Sequence, residues 1–339
     1  MLIDNFGSAR AALFADANTL SGFGVTNEEC GQFVSLRNDD ELERLAQTLT
    51  KLSARILTIG APEYPADLMN IYNAPAVLYC RGELPTTAKI AIVGSRNPTV
   101  YGKAAANKLA TELAESGLVI VSGAARGIDT VAHTATLAVN RLTIAVLGCG
   151  IDVAYPRENA GLLKAITETG AVISEYPPGT EVRPYYFPMR NRIISGLSNS
   201  IIVVEAAEKS GALITADFAL DQGKDIFAVP GSIFSENSAG CHKLIKNGAK
   251  LIDNAKDLID ELQTFVLFSR QCINKITPSF SNNDEEMIFG VLHIDKTMTI
   301  DEICLRANVG AKQANVAIFN MLMRGIVREE SGKRYLRSN

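Results

Sequence analysis

Arginine and glycine meet repeatedly where apolar runs end. The first case is "GSRNPTVYGK" (Gly94 to Lys103), directly after the run "KIAIV". Gly94 lets a backbone approach closely, and the turn can aim amide groups at an anion. Ser95 adds a hydroxyl, and Arg96 adds a planar two-pronged donor suited to phosphate. Taken alone, this is equally a tight turn with a surface arginine. The theme recurs, however. "SGAARGID" (Ser122 to Asp129) carries Arg126, and "GCGIDVAYPREN" (Gly148 to Asn159) carries Arg157. "SEYPPGTEVRPYYFPMRNRIISGLS" (Ser174 to Ser198) places Arg183, Arg190 and Arg192 among Tyr185, Tyr186, Phe187 and Asn191. "EAAEKSGALITA" opens a helix with Lys209, Ser210, Gly211 and Thr215. Several cations, helix N-termini and aromatic rings on one rim fit a chain of phosphates with bases free to stack.

Such convergence needs a scaffold that brings these segments to one edge. The runs "IAIVG", "LVIVSG", "TIAVLG", "AVIS", "SIIVVE" and "DIFAVP" are apolar on successive residues. Strands of that kind are buried on both faces, as in a parallel sheet. Helical stretches such as "GKAAANKLATELAESG" and "GIDTVAHTATLAVN" separate them. The alternation predicts a doubly wound, Rossmann-like α/β domain over residues 56–265, with ligands bound beyond the carboxyl ends of the strands.

The flanks differ. Residues 1–55 read as short helices, with Leu42, Leu45, Leu49 and Leu52 forming one apolar stripe. This is either a small helical cap or a SAM-like (helix-hairpin) module that touches DNA or a partner. Residues 266–283 read as a Ser/Asn/Pro-rich linker. Residues 284–339 read as helix, helix, turn, helix and hairpin, the order of a winged helix, with Ala314, Ile318, Met321 and Leu322 on one helix face. Arg328, Lys333, Arg334 and Arg337 crowd its hairpin. Docking, dimerisation and duplex DNA binding all fit this unit.

Composition narrows the classes. The 339 residues are 47 % hydrophobic and 21 % charged, as in a soluble globular protein with a substantial core. The formal net charge is −4, so any anion site arises from local clustering. The six cysteines form no C-x-x-C pair, and His133, His242 and His293 lie far apart, so zinc spacing fails and no metal is expected. No secretory pattern or membrane-length apolar run appears, which points to a reducing cytoplasm. Dinucleotide and Walker fingerprints are missing, so no cofactor is expected. Asp129, Asp152, Glu175 and Glu205 are candidate general bases, but they serve equally to orient arginines or cap helices.

In order along the chain, "GSRNPTVYG", "SGAARGIDTVAH", "GCGIDVAYPREN", "SEYPPG", "FPMRNRIISGLS", "VVEAAEKSGALITADFALDQGKDIFAVPGS" and "GCHKLIKNGAKLI" resemble the DNA-processing protein A family (DprA, also called Smf). The resemblance covers residues 56–265. It implies a non-enzymatic protein of bacterial transformation that binds and protects single-stranded DNA. It also implies self-association and loading of RecA recombinase onto strands coated by single-strand-binding protein. On this resemblance the DNA pocket uses Arg96, Arg157, Phe187, Arg190 and Arg192. Some members carry a lysine where this chain has Pro184, with Arg183 adjacent. The dimer surface maps to His242, Ile245 and Leu251, residues that otherwise read as ordinary core. The rival class is a nucleotide phosphoribohydrolase of similar architecture. Its P-G-G-x-G-T signature is missing, since "VPGSIFSE" holds only Pro230, Gly231 and Ser232.

Overall fold

The computed structural model describes residues 2–35, 37, 39–262, 282–293, 297–324, 326–330 and 333–337. It divides into two compact units, Met1–Ile259 and Asp260–Asn339.

The first unit begins with short helices α1 (Leu2–Phe6), α2 (Ala9–Phe14), α3 (Ala17–Gly22) and α4 (Asn27–Ser35). Ser8 and Asp16 cap α2 and α3 by accepting from backbone N–H groups in the first turn. Helix α5 (Asp39–Lys51) carries the leucine stripe. Leu49 is buried, and Leu45 and Leu52 pack with it against Ile166 and Val172 of the central layer. Leu42, at the helix start, is exposed.

A nine-stranded sheet follows, in the order β1-β2-β6-β5-β4-β3-β7-β8-β9. The strands are β1 (Ala54–Thr58), β2 (Val77–Gly82), β3 (Lys89–Val93), β4 (Val119–Ser122), β5 (Thr143–Leu147), β6 (Ala171–Ser174), β7 (Ser200–Val203), β8 (Asp225–Ala228) and β9 (Lys250–Leu251). Strands β3 to β9 pair in parallel, whereas β1 and β2 add antiparallel at one edge. Every residue of β3, β4, β5, β6 and β7 is buried, which accounts for the unbroken apolar runs. The connecting helices are α6 (Ala66–Met69), α7 (Val100–Glu115), α8 (Ile128–Ala138), α9 (Ala160–Thr169), α10 (Tyr186–Leu197), α11 (Gly211–Asp221) and α12 (Ala239–Lys246). The α/β fold is the expected one. The β1–β2 hairpin is an addition that the apolar runs did not announce.

The chain runs from β3 outward through β4, β5 and β6, then returns beside β3 as β7 and proceeds to β8 and β9. Strand order therefore reverses between β3 and β7. Such a switch point opens a crevice at the carboxyl ends of the strands.

The second unit has helices Asn283–Val291, Ile300–Ala307 and Ala311–Met323. Its sheet has the order β10-β12-β11, with β10 Met298–Thr299, β11 Val327–Glu330 and β12 Arg334–Arg337. Thr299 and Glu302 form a reciprocal cap at the middle helix. Ile288, Ile303, Ala314, Ile318, Met321 and Tyr335 share its core. Of the linker expected over 266–283, only residues 282 and 283 lie among the described residues.

Candidate nucleic-acid interface

A cleft of about 810 Å³ lies at the switch point. Its floor and walls come from four strand ends: Val93 to Asn97 at the end of β3, Ala125 and Asp129 after β4, Tyr155 after β5, and Ala207 with Lys209 to Ala212 after β7. Helix α10, which links β6 to β7, supplies Phe187, Arg190, Asn191 and Ile194.

The turn after β3 is tied down at both ends. Ser95 N–H donates to the Glu205 carbonyl (2.7 Å), and the Ser95 carbonyl accepts from Ile128 N–H (3.1 Å). Ser95 Oγ accepts from Asn97 N–H (3.1 Å). Gly94 is required by packing: a Cβ there would come within 2.7 Å of Ile128 Cγ1. The turn leaves Arg96 exposed, with its guanidinium carbon 5.4 Å from the centre of the Phe187 ring. Tyr155 tilts against the same ring, centroids 5.3 Å apart. The opposite wall is the start of α11, where Ser210 caps the helix by accepting from Ala212 N–H and Asn191 Nδ2 donates to the Gly211 carbonyl. Thr215 is buried one turn further in and also lines the cleft. A free cation, an aromatic face and the positive end of an eleven-residue helix therefore meet in one cleft.

The arginines divide sharply. Arg190 lines the cleft but is only 4 % exposed. Its Nη1 donates to the carbonyls of Gly123 (2.8 Å) and Val146, and its Nε donates to Asn191 Oδ1 (3.3 Å). Burial pushes its pKa down to about 10, with the neighbouring Asp129 carboxylate opposing that shift. Arg192 lies outside the cleft lining. It is 3 % exposed and donates to Glu175 Oε1 (2.6 Å) and to the carbonyls of Asn73 and Met189. Arg126, Arg157 and Arg183 are exposed and also outside the lining. Arg126 pairs with Glu158, Arg157 opens the short turn Arg157–Asn159, and Arg183 Nη1 donates to Tyr185 Oη (3.2 Å). Pro184, not Arg183, reaches the cleft wall.

The candidate general bases are engaged by the scaffold. Asp129 accepts from Gly123 and Ala125 N–H, Asp152 from Gly179 N–H, Glu175 from Arg192, and Glu205 from Thr99 N–H and Oγ1. Burial raises the Asp129 pKa above its ordinary value. Among the described residues, no group of three or more His, Cys, Asp or Glu side chains could hold a metal ion.

Sequence reading missed Asn97, Tyr155 and Asn237 as lining residues. Asn237 Nδ2 donates to the Asn97 carbonyl (3.1 Å) and closes one end of the cleft. Asn237 carries no local signal, because its contact spans 140 residues. The proposed dimer residues lie elsewhere. His242 is half-buried against the Gly231 carbonyl (3.1 Å), Ile245 packs partly buried on the core, and Leu251 is half exposed on the edge strand β9.

The family model for DNA recombination-mediator protein A matches residues 55–263. The DNA processing protein DprA of Bacillus subtilis (strain 168) is 44 % identical over 236 residues, covering 67 % of this chain and 80 % of that one. The Streptococcus pneumoniae (strain ATCC BAA-255 / R6) protein of the same description is 46 % identical over 202 residues, covering 59 % and 71 %. The X-ray structure of DNA processing protein A from Streptococcus pneumoniae aligns with TM-score 0.65 at 41 % identity, covering 70 % of this chain and 82 % of that one. A structure describing the single-stranded DNA binding mode of DNA processing protein A from Helicobacter pylori aligns with TM-score 0.56 at 32 % identity, covering 62 % and 96 %.

Proposed function

Because the chain belongs to the DNA recombination-mediator protein A family, we propose that its switch-point cleft binds single-stranded DNA and that the protein acts as a recombination mediator. One observation carries the reading: exposed Arg96 stands over Phe187 at the mouth of a cleft whose far wall is the N-terminus of α11. Phosphate meets Arg96, the Ser95 hydroxyl and the positive end of α11 at Ser210 and Gly211, while a base stacks on Phe187. Asn191 and Thr215 complete the polar lining. Exposed Arg157 and Arg183 receive the strand beyond the cleft, at the long range over which surface cations attract a polyanion, and Arg126 joins them when it exchanges its Glu158 partner for phosphate.

In this reading the protein is no enzyme. Its acids hold backbone amides, a hydroxyl and an arginine rather than facing the cleft as free bases, and Asp129, the one acid in the lining, is buried. The family resemblance supports the further steps. Incoming strands are protected in the cytoplasm during natural transformation, single-strand-binding protein gives way, and RecA recombinase is loaded. The protein works as a homodimer through the surface around His242, Ile245 and Leu251, where β9 has no strand on its outer side among the described residues. The second unit adds a duplex DNA contact through its exposed Arg328, Lys333 and Arg334.

Titration of labelled oligo-dT against the protein and its Phe187→Ala variant tests the core of this reading. Nanomolar-to-micromolar binding that weakens in the variant supports it; no binding to any single strand ends it. RecA filament growth on strands covered with single-strand-binding protein, with and without this protein, tests the loading step. Release of free base from nucleoside monophosphates would establish the enzymatic rival instead.

A further inference from the structure

Arg190 is one of the arginines that the family resemblance assigns to DNA, yet its surroundings are those of a buried structural cation. Both prongs of Nη1 are spent on carbonyls at the ends of β4 and β5, Gly123 and Val146. Nε is spent on Asn191. The remaining nitrogen, Nη2, lies over the open face of Gly123 together with the Asp129 carboxylate. A Cβ at residue 123 would come within 2.7 Å of Arg190 Nη2 and 2.8 Å of Asp129 Oδ2. Asp129 is itself fixed by Gly123 and Ala125 N–H groups and is 7 % exposed. The guanidinium carbon of Arg190 sits 5.9 Å from the Phe187 ring centre, against 5.4 Å for exposed Arg96.

Resting on the single-strand reading above, we propose that Arg190 is a positioning residue and not a phosphate ligand: clamped between strand-end carbonyls and counterbalanced by Asp129, it fixes the Phe187 ring as a stacking platform. Phosphate contact inside the cleft then belongs to Arg96. The physical reason is desolvation. A guanidinium whose Nη1 holds two carbonyls and whose Nε holds Asn191 has only Nη2, lying beside the Asp129 carboxylate, to turn toward a phosphate, and any movement outward would leave buried carbonyls without donors. Arg96 has no such commitment to break and keeps its water-exposed charge for the backbone.

Counterion release separates the two roles. A lost phosphate contact lowers the slope of log affinity against log salt by about 0.7 for a single strand, whereas a lost positioning group lowers affinity at unchanged slope. The experiment measures oligo-dT affinity across a salt series for the full chain and for Arg96→Ala, Arg190→Gln, Phe187→Ala and the Arg190→Gln/Phe187→Ala double variant. Arg190→Gln is expected to weaken binding about tenfold with the wild-type slope, and to add almost nothing on the Phe187→Ala background, because both act through one platform. A slope reduced as in Arg96→Ala, or full additivity with Phe187→Ala, overturns the proposal. Should Arg190→Gln fail to fold, Asp129→Asn takes its place in the same cycle. It leaves the side chain's size unchanged while removing the counter-charge, and the same slope and coupling criteria decide. Wild-type binding with an Arg96-sensitive slope, set beside a failed Arg190 cycle, refutes this inference alone; absence of wild-type binding refutes the reading beneath it.

Discussion

The turn after β3 and the first turns of α10 offer the same side chain to the same cleft, with opposite outcomes. Arg96 sits on a loop whose backbone is already paired, through Glu205 after β7, Ile128 of α8 and the Ser95–Asn97 turn, and its guanidinium remains in water. Arg190 and Arg192 sit on a helix that packs under the sheet ends, and both are consumed by carbonyls or a carboxylate. The difference shows that a guanidinium's role follows from whether nearby backbone acceptors are already paired. A loop whose backbone is already paired leaves its arginine to ligands. Helices laid across strand ends recruit them to satisfy carbonyls that the sheet cannot.

The largest effect that should separate the two regions is on stability. Arg192→Ala leaves Glu175 and the carbonyls of Asn73 and Met189 without their donor. Truncating one partner of such a pair costs about 3 kcal/mol, and urea unfolding of the variant should show it as a lower midpoint at unchanged m-value. Arg96→Ala should leave the same midpoint in place. Equal loss in both variants would erase the distinction.

Next in size is the ground beneath α10. His133 is fully buried beside β5. Its Nδ1 meets Thr143 Oγ1 at 2.7 Å, and that hydroxyl in turn donates to the Ile120 carbonyl, so the proton resides on Nδ1. Burial, helped by nearby Arg190, holds the ring pKa down from 6.5 to about 3. The folded-state value is depressed, so between these two pH values the unfolded chain binds a proton that the folded chain refuses. Stability is intact above pH 6.5 and falls as pH drops, at up to about 1.4 kcal/mol per pH unit. Unfolding free energies measured from pH 7.5 to 4.5 should fall more steeply for the wild type than for His133→Gln. Parallel curves would mean that the imidazole takes up its proton in the fold as readily as in the unfolded chain.

Much of this was legible in the sequence. Six apolar runs gave the strands β3 to β8, because burial on both faces leaves no polar interruption. The antiparallel β1–β2 pair is less legible: β1, at the sheet edge, buries only Leu57 fully, and β2 buries three residues between partly exposed ones. Of the rim residues expected after strand ends, Arg96, Phe187, Arg190, Asn191 and the α11 start line one cleft, whereas Arg126, Arg157, Arg183 and Arg192 lie outside it. Burial of α10 was the part harder to see. Its signal lay in spacing: Arg190, Ile193, Ile194 and Leu197 fall on one helical face, which predicts that Arg190 points inward with the apolar residues. Of the four basic residues expected to crowd the second unit's hairpin, Arg337 turns inward to the Phe289 carbonyl, a contact 48 residues away that no local pattern announces.

Phe187→Ala sharpens the comparison from the middle, since the ring lies against both arginines. Removing a stacking platform costs about 1–3 kcal/mol per base. Oligo-dT affinity should therefore fall roughly tenfold in fluorescence anisotropy. The salt slope should not move, because no phosphate partner is lost. A slope that moved with the ring would mean that Phe187 holds Arg96 in place, and the two regions would then act as one unit.

The smallest expected effect is also the most selective. Arg96→Ala removes one exposed cation that stands over the Phe187 ring, so neither fold nor stacking surface should change. What changes is the number of counterions released when the strand binds. One fewer phosphate contact reduces the log–log slope by about 0.7, so the variant's deficit should shrink by about 2.6-fold between 50 and 200 mM salt. Mutants with equal affinity at one salt concentration thus part company across a series. If Arg96→Ala holds the wild-type slope while Arg190→Gln lowers it, the buried cation is the one that reaches the backbone. Satisfied carbonyls would then be no guide to which arginine in this cleft is free.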